Sequence, residues 1–195
     1  MRIRFAAILA AWLGLGLGLG LATATALADT VPEDERVGID LRRTTLVVRD
    51  IERSLEFYRD ALGMVPIYDN LILTPRDAAG VEDAERALRL VMLRANDDYI
   101  GVVGLLQYFK PRKETVDLTD TSFMEGTAVL LFNVDDLSGA FARASQVEGV
   151  VVLDEPMPVS YPSYDGEGVI EVIVSTLQDP DGFTIELNQL QSELR

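Results

Sequence analysis

Histidine and cysteine are both absent from this chain of 195 residues. Without imidazole, a non-haem iron site built on two histidines and a carboxylate cannot come from this chain. A zinc or nickel site of the ordinary kind is disfavoured as well, because borderline metals take nitrogen or sulfur ligands. Only an all-oxygen site for magnesium, manganese or calcium stays open. Histidine-based acid–base chemistry and a Ser/His/Asp arrangement are excluded on the same ground. The lack of cysteine removes disulfides and a lipobox anchor, so stability has to come from packing.

Basic residues are scarce: 17 Lys and Arg stand against 32 Asp and Glu, a formal charge of −15. That excess makes nucleic acid and anionic membrane surfaces poor partners and favours solubility. Long apolar runs are also missing, with one exception at the N-terminus. Arg2 and Arg4 precede an uncharged stretch from Phe5 to Leu21, and Ala26-Leu27-Ala28 supplies the small-x-small pattern that signal peptidase accepts. Residues 1–28 are therefore expected to be a secretory signal cleaved before Asp29, giving a periplasmic or secreted protein with no membrane attachment afterwards; an uncleaved membrane anchor is the alternative that the Ala-x-Ala ending and acidic flank disfavour. The Leu-Gly alternation within that stretch lacks the flanking strand and helix of a phosphate-binding loop.

The remainder of the chain carries one pattern twice. Residues 29–40 read as a polar, flexible leader. Leu41 to Val48 is rich in β-branched residues and predicts a strand, after which Asp50 can cap a helix over Ile51 to Leu62, ended by Gly63. Three extended segments come next, at Met64 to Leu73, Ala87 to Arg94 and Tyr99 to Phe109. The charged stretch 110–125 reads as a connection. The order then recurs: a strand over Thr127 to Val134, a helix opened by Asp135-Asp136 and closed by Gly149, and extended segments near Val150 to Val159, Val169 to Leu177 and Phe183 to Leu190. Two βαβββ units of similar length emerge, module one at 41–109 and module two at 126–190, with a short tail at 191–195.

Three segments carry a family resemblance: LRRTTLVVRDIERSLEFYRDALGM, GTAVLLFNVDDLSGAFARA and TLQDPDGFTIELNQ. Together they resemble the vicinal-oxygen-chelate superfamily, the glyoxalase, bleomycin-resistance and dioxygenase domains. The resemblance spans Leu41 to Gln189 and implies an α+β fold, two βαβββ modules forming a curved mixed-sheet cleft. It does not name a reaction, because isomerases, epimerases, dioxygenases, thiol transferases and drug binders share the fold. In metal-dependent relatives four inward residues hold one divalent ion. The resemblance places those positions at Arg43, Gly104, Val129 and Glu186, of which only Glu186 is a metal-ligand type. No cofactor and no metal are expected.

Glu186 is a carboxylate on an apolar strand, so it faces the cleft or needs a partner. The resemblance makes Arg43 that partner, as a structural ion pair or as a seat for a ligand. Tyr108 with Tyr99 and Phe109, and Tyr161 and Tyr164 on a turn-rich loop, are candidate ligand platforms, or else core and edge cover. Gln107 could offer its amide to a ligand or face solvent. Phe57 and Tyr58 read as core. Lys110, Arg112 and Lys113 form the one local basic cluster, a solvated linker or an attractor for an anion at the cleft mouth. Three functions stay open: an exported binder of a small apolar or aromatic molecule in the inter-module cleft, oriented by Arg43 and Glu186 without a metal; a metal-independent lyase or isomerase with Glu186 as general base; and an interaction module with a filled cleft. A homodimer is compatible with each.

Overall fold

A computed structural model describes residues 31–164 and 166–191. The expected signal at 1–28 and the last four residues of the tail lie outside that range. Among the described residues, no helix is long and apolar enough to cross a membrane.

β1 (Arg43–Val47) leads through Asp50 into α1 (Ile51–Leu55). The Asp50 carboxylate accepts from the Glu52 amide at 3.0 Å, satisfying a donor that the first helical turn leaves without a partner. The predicted single α-helix to Leu62 does not persist. After Leu55 it widens into a π-helical stretch, Glu56–Ala61, in which the Leu62 amide reaches back five residues to the Phe57 carbonyl. The adjacent rings of Phe57 and Tyr58 are both fully buried there, edge to face with centroids 5.0 Å apart. Then come β2 (Val65–Thr74), β3 (Arg86–Arg94) and β4 (Val102–Lys110), which with β1 form one sheet in the order β1-β4-β3-β2. β4 starts three residues later than the patterning predicts, because Tyr99 to Gly101 belong to the turn before it.

The second module repeats the first. β5 (Val129–Asn133), α2 (Leu137–Ala144), β6 (Val151–Pro162), β7 (Val169–Gln178) and β8 (Thr184–Leu190) give a sheet in the order β5-β8-β7-β6. In both sheets the first strand runs parallel to the fourth and the other neighbours are antiparallel. Asp136 caps α2 through the Gly139 amide at 3.0 Å. β6 extends past the predicted end, so Tyr161 lies on a strand, paired with Ile170, and not in a loop.

Side chains alternate across each sheet. On the first sheet Leu46, Val48, Val103 and Leu105 face the helices, while Thr45, Val47, Leu106 and Tyr108 face the opposite side. One core joins the modules: the helix-facing residues of both sheets, including Val91, Leu93, Leu177, Ile185 and Leu187, pack with α1, the π-helical stretch and α2. Across it, Arg143 Nε donates to the Ala61 carbonyl at 2.9 Å and Arg53 pairs with Glu148 at 2.6 Å.

The turn between β7 and β8 completes the joint. Asp179 Oδ1 accepts from the amides of Asp181 and Phe183, both at 2.9 Å, and Gly182 takes φ +95°, which a side chain tolerates poorly. This turn sits against the first module. Asp181 accepts from the Arg49 amide at 2.8 Å and from its Nε at 2.9 Å, and the Arg49 guanidinium also donates to the Pro180 carbonyl.

Candidate functional site

The helix-averted faces of the sheets carry the candidate site. The linker from Pro111 to Leu118 crosses the first sheet on that face and encloses a cavity of about 550 Å³. Thr45, Val47 and Tyr108 come from β1 and β4, Asp181 and Phe183 from the turn of module two, and Arg112, Lys113 and Val116 from the linker. Lys113 Nζ stands 5.1 Å above the centre of the Tyr108 ring, a cation–π contact. At its far end the linker is anchored to module two: Gln178 Nε2 donates to the Leu118 carbonyl at 3.0 Å, and Thr184 Oγ1 lies 3.0 Å from Ser122 Oγ. Charge along the cavity is uneven. Arg49 is committed to Asp181, whereas no ion pair among the described residues engages Arg112 or Lys113.

The residues singled out from sequence are not gathered at one place. Tyr108 lines the large cavity. Arg43 and Val129 meet at a smaller one of about 250 Å³ beside β1 and β5. Glu186, Tyr161, Tyr164 and Gln107 line neither. The expected pair of Arg43 and Glu186 does not form. Arg43 Nη1 lies 2.9 Å from Met92 Sδ within its own sheet, and its stem passes over Gly104, where an added Cβ would stand 3.1 Å from Arg43 Cδ. Glu186 belongs to the other sheet, in register with Leu131 and Thr176. Tyr161 and Tyr164 are exposed, the latter at 86%.

Gln107 points the other way, to the helices. Its Oε1 accepts from the Ile51 amide at 3.0 Å and its Nε2 donates to the Arg49 carbonyl at 2.8 Å, so both ends of the amide hold the start of α1. Module two has the same device, with the Leu137 amide donating to Gln189 Oε1 at 3.1 Å. Replacing Gln107 with alanine is expected to cost about 1 kcal/mol, since the partly buried Ile51 amide at the helix start loses its acceptor while the exposed Arg49 carbonyl can turn to water. Urea unfolding measures it, and an unshifted midpoint would count against the role.

Residues 40–187 match the Glyoxalase/Bleomycin resistance protein/Dioxygenase superfamily. The chain belongs to that superfamily. It is 27% identical over 143 residues to mouse (Mus musculus) glyoxalase domain-containing protein 4, covering 73% of this chain and 38% of the relative. The chain thus spans about two fifths of that relative's length. A glyoxalase family protein from Bacillus cereus superposes with a TM-score of 0.62 at 13% identity, covering 81% of this chain and 98% of the other. A glyoxalase I mutant from Zea mays gives 0.51 at 21% identity, covering 76% of this chain and 45% of that one. These likenesses establish the glyoxalase fold.

The superfamily implies a divalent ion in its metal-dependent members, and the residues present do not fit one. The four corresponding positions hold a guanidinium, a glycine, a valine and a single carboxylate, with the Arg43 stem lying across Gly104. Among the described residues no group of three or more Asp, Glu, His or Cys side chains is arranged to hold a metal.

Proposed function

We propose that this protein binds a small organic molecule in the cavity under the linker and does so without a divalent ion. The observation that carries this reading is the cavity itself. Its volume of about 550 Å³ falls in the range of small-molecule sites, and its walls combine apolar surface from Val47, Val116 and Phe183 with a few polar groups able to orient a ligand. The donor set at the four metal positions supports the metal-free part. The basic start, apolar stretch and Ala26-Leu27-Ala28 ending support export to the periplasm or beyond. The charge of −15 argues against nucleic acid as a partner. A general-base role for Glu186 has no support at this cavity, because Glu186 is not among its lining residues.

Native mass spectrometry of the exported protein tests the proposal. The expected result is a protein carrying one retained organic molecule, no stoichiometric metal, and loss of that molecule on Tyr108→Ala. A stoichiometric divalent ion would overturn it.

A further inference from the structure

The chain has two lysines, Lys110 at the end of β4 and Lys113 on the lining of this cavity, in a molecule with 32 acidic residues. Their situations differ. Lys110 Nζ is engaged with the Glu82 carbonyl at 2.8 Å. Lys113 has only the Tyr108 ring, and Arg112 has no ion pair among the described residues. With Arg49 neutralised by Asp181, the remaining charges on the lining are Arg112 and Lys113 against Glu114, a net positive mouth on an acidic protein. On an exposed linker such a contact contributes little stability, but at the opening of a cavity it also orients the ammonium before a ligand arrives.

The linker is also built to yield. Residues 111–117 are all exposed, and no backbone hydrogen bond among the described residues ties 111–116 to either sheet. A second cavity, of about 440 Å³, lies along Thr115 to Thr119, so this segment has open space on two sides. Its firm anchor begins only at Leu118, held by Gln178.

We propose that the cavity takes a small aromatic carboxylate, its ring lying on Tyr108 and its carboxylate held by Lys113 and Arg112 as the linker closes over it. This rests on the binding reading above and adds the ligand's charge and shape. An aromatic ring would replace the ammonium on the face of Tyr108 by stacking, and Lys113 would exchange a cation–π contact for a charge-assisted hydrogen bond. Arg112 would supply a second donor to the same carboxylate. A neutral ring would gain the stacking alone, and a cationic one would meet two like charges.

Isothermal titration with 2-naphthoate, 2-naphthamide and 2-naphthylmethylammonium separates these cases. Naphthoate is expected to bind, with the amide weaker by about tenfold and the ammonium weaker still, the difference of one charge-assisted hydrogen bond. Lys113→Gln and Arg112→Gln should each weaken naphthoate several-fold and leave the amide unchanged, with Arg94→Gln, at the end of β3 away from Lys110, as the control. Trace acetylation read by mass spectrometry gives an independent measure: naphthoate should protect Lys113, with Lys110 as the internal reference. Equal binding of all three probes would overturn the anionic class and leave the binding reading standing. Tightest binding of the ammonium would do the same. Failure of all three probes, with Lys113 unprotected, would overturn the aromatic carboxylate, and the binding reading would then stand or fall on the retained molecule sought in the exported protein.

Discussion

Replacing Asp179 with alanine is expected to destabilise the protein by about 4 kcal/mol at pH 5, because one buried and two partly buried donors lose their acceptor at roughly 1–3 kcal/mol each with partial relaxation. The three are the Tyr58 hydroxyl, 2.8 Å from Oδ2, and the amides of Asp181 and Phe183 on Oδ1. Tyr58 is fully buried and Asp179 is 1% exposed, so water offers no substitute. The bond joins residues 121 apart in sequence, from the π-helical stretch of module one to the β7–β8 turn of module two. Its loss therefore weakens the seam between modules as well as the turn. Tyr58→Phe removes one of the three bonds and should cost about 1–2 kcal/mol, since a buried carboxyl oxygen loses its donor. The double variant should cost less than the sum of the two, since they share one interaction. Urea unfolding of all four proteins completes the cycle. Strict additivity would show that the two residues act separately.

The same seam shows what could be read from sequence and what could not. The run Asp179-Pro180-Asp181-Gly182 predicts a tight turn from local rules alone, and Gly182 at φ +95° bears that out. Its docking on Arg49 and Tyr58 depends on contacts more than a hundred residues away, which local pattern does not encode. The two βαβββ units were legible because hydrophobic periodicity and capping aspartates recur. Gln107 was legible in principle. It and Gln189 occupy the same place on the last strand of their modules, and that equivalence would have pointed to a helix start instead of a ligand. The pair of Arg43 with Glu186 failed for a geometric reason. Resemblance put both near one point from facing modules, but the long Arg43 stem lies back over Gly104 and takes its guanidinium to Met92 on its own sheet. The cavity under the linker left almost no trace. Its outer wall has no periodic apolar pattern, and the basic residues within it were its one visible sign.

Asp179 also sets how stability responds to pH. Burial, the largest influence, pushes its carboxyl up from the ordinary 3.8 to about 6, with the neighbouring Asp181 carboxylate adding to the rise, while the bonds from Tyr58 and the Phe183 and Asp181 amides oppose it. The folded protein therefore holds this proton more tightly than the unfolded chain. Between about pH 4 and 6 the unfolded state gives up the proton while the folded state keeps it, so stability is expected to fall by about 3 kcal/mol as pH rises through that window and then level off. Asp60, Asp69, Asp97 and Asp117 act in the opposite sense. Hydrogen bonds hold their carboxyls below the ordinary value, so whatever they contribute is present at higher pH and is lost only as pH falls below about 4. Repulsion within a chain of formal charge −15 also eases as pH falls, which could imitate the first effect. Asp179→Asn separates the two. It leaves 14 of the 15 net negative charges in place but has no proton to exchange, so it should flatten the slope between pH 4 and 6 while salt dependence stays near that of the parent. Thermal unfolding of both proteins across pH 4 to 7.5, at low and high salt, measures this. A slope that survives in Asp179→Asn and vanishes in salt would assign the pH dependence to overall charge and not to the buried carboxyl.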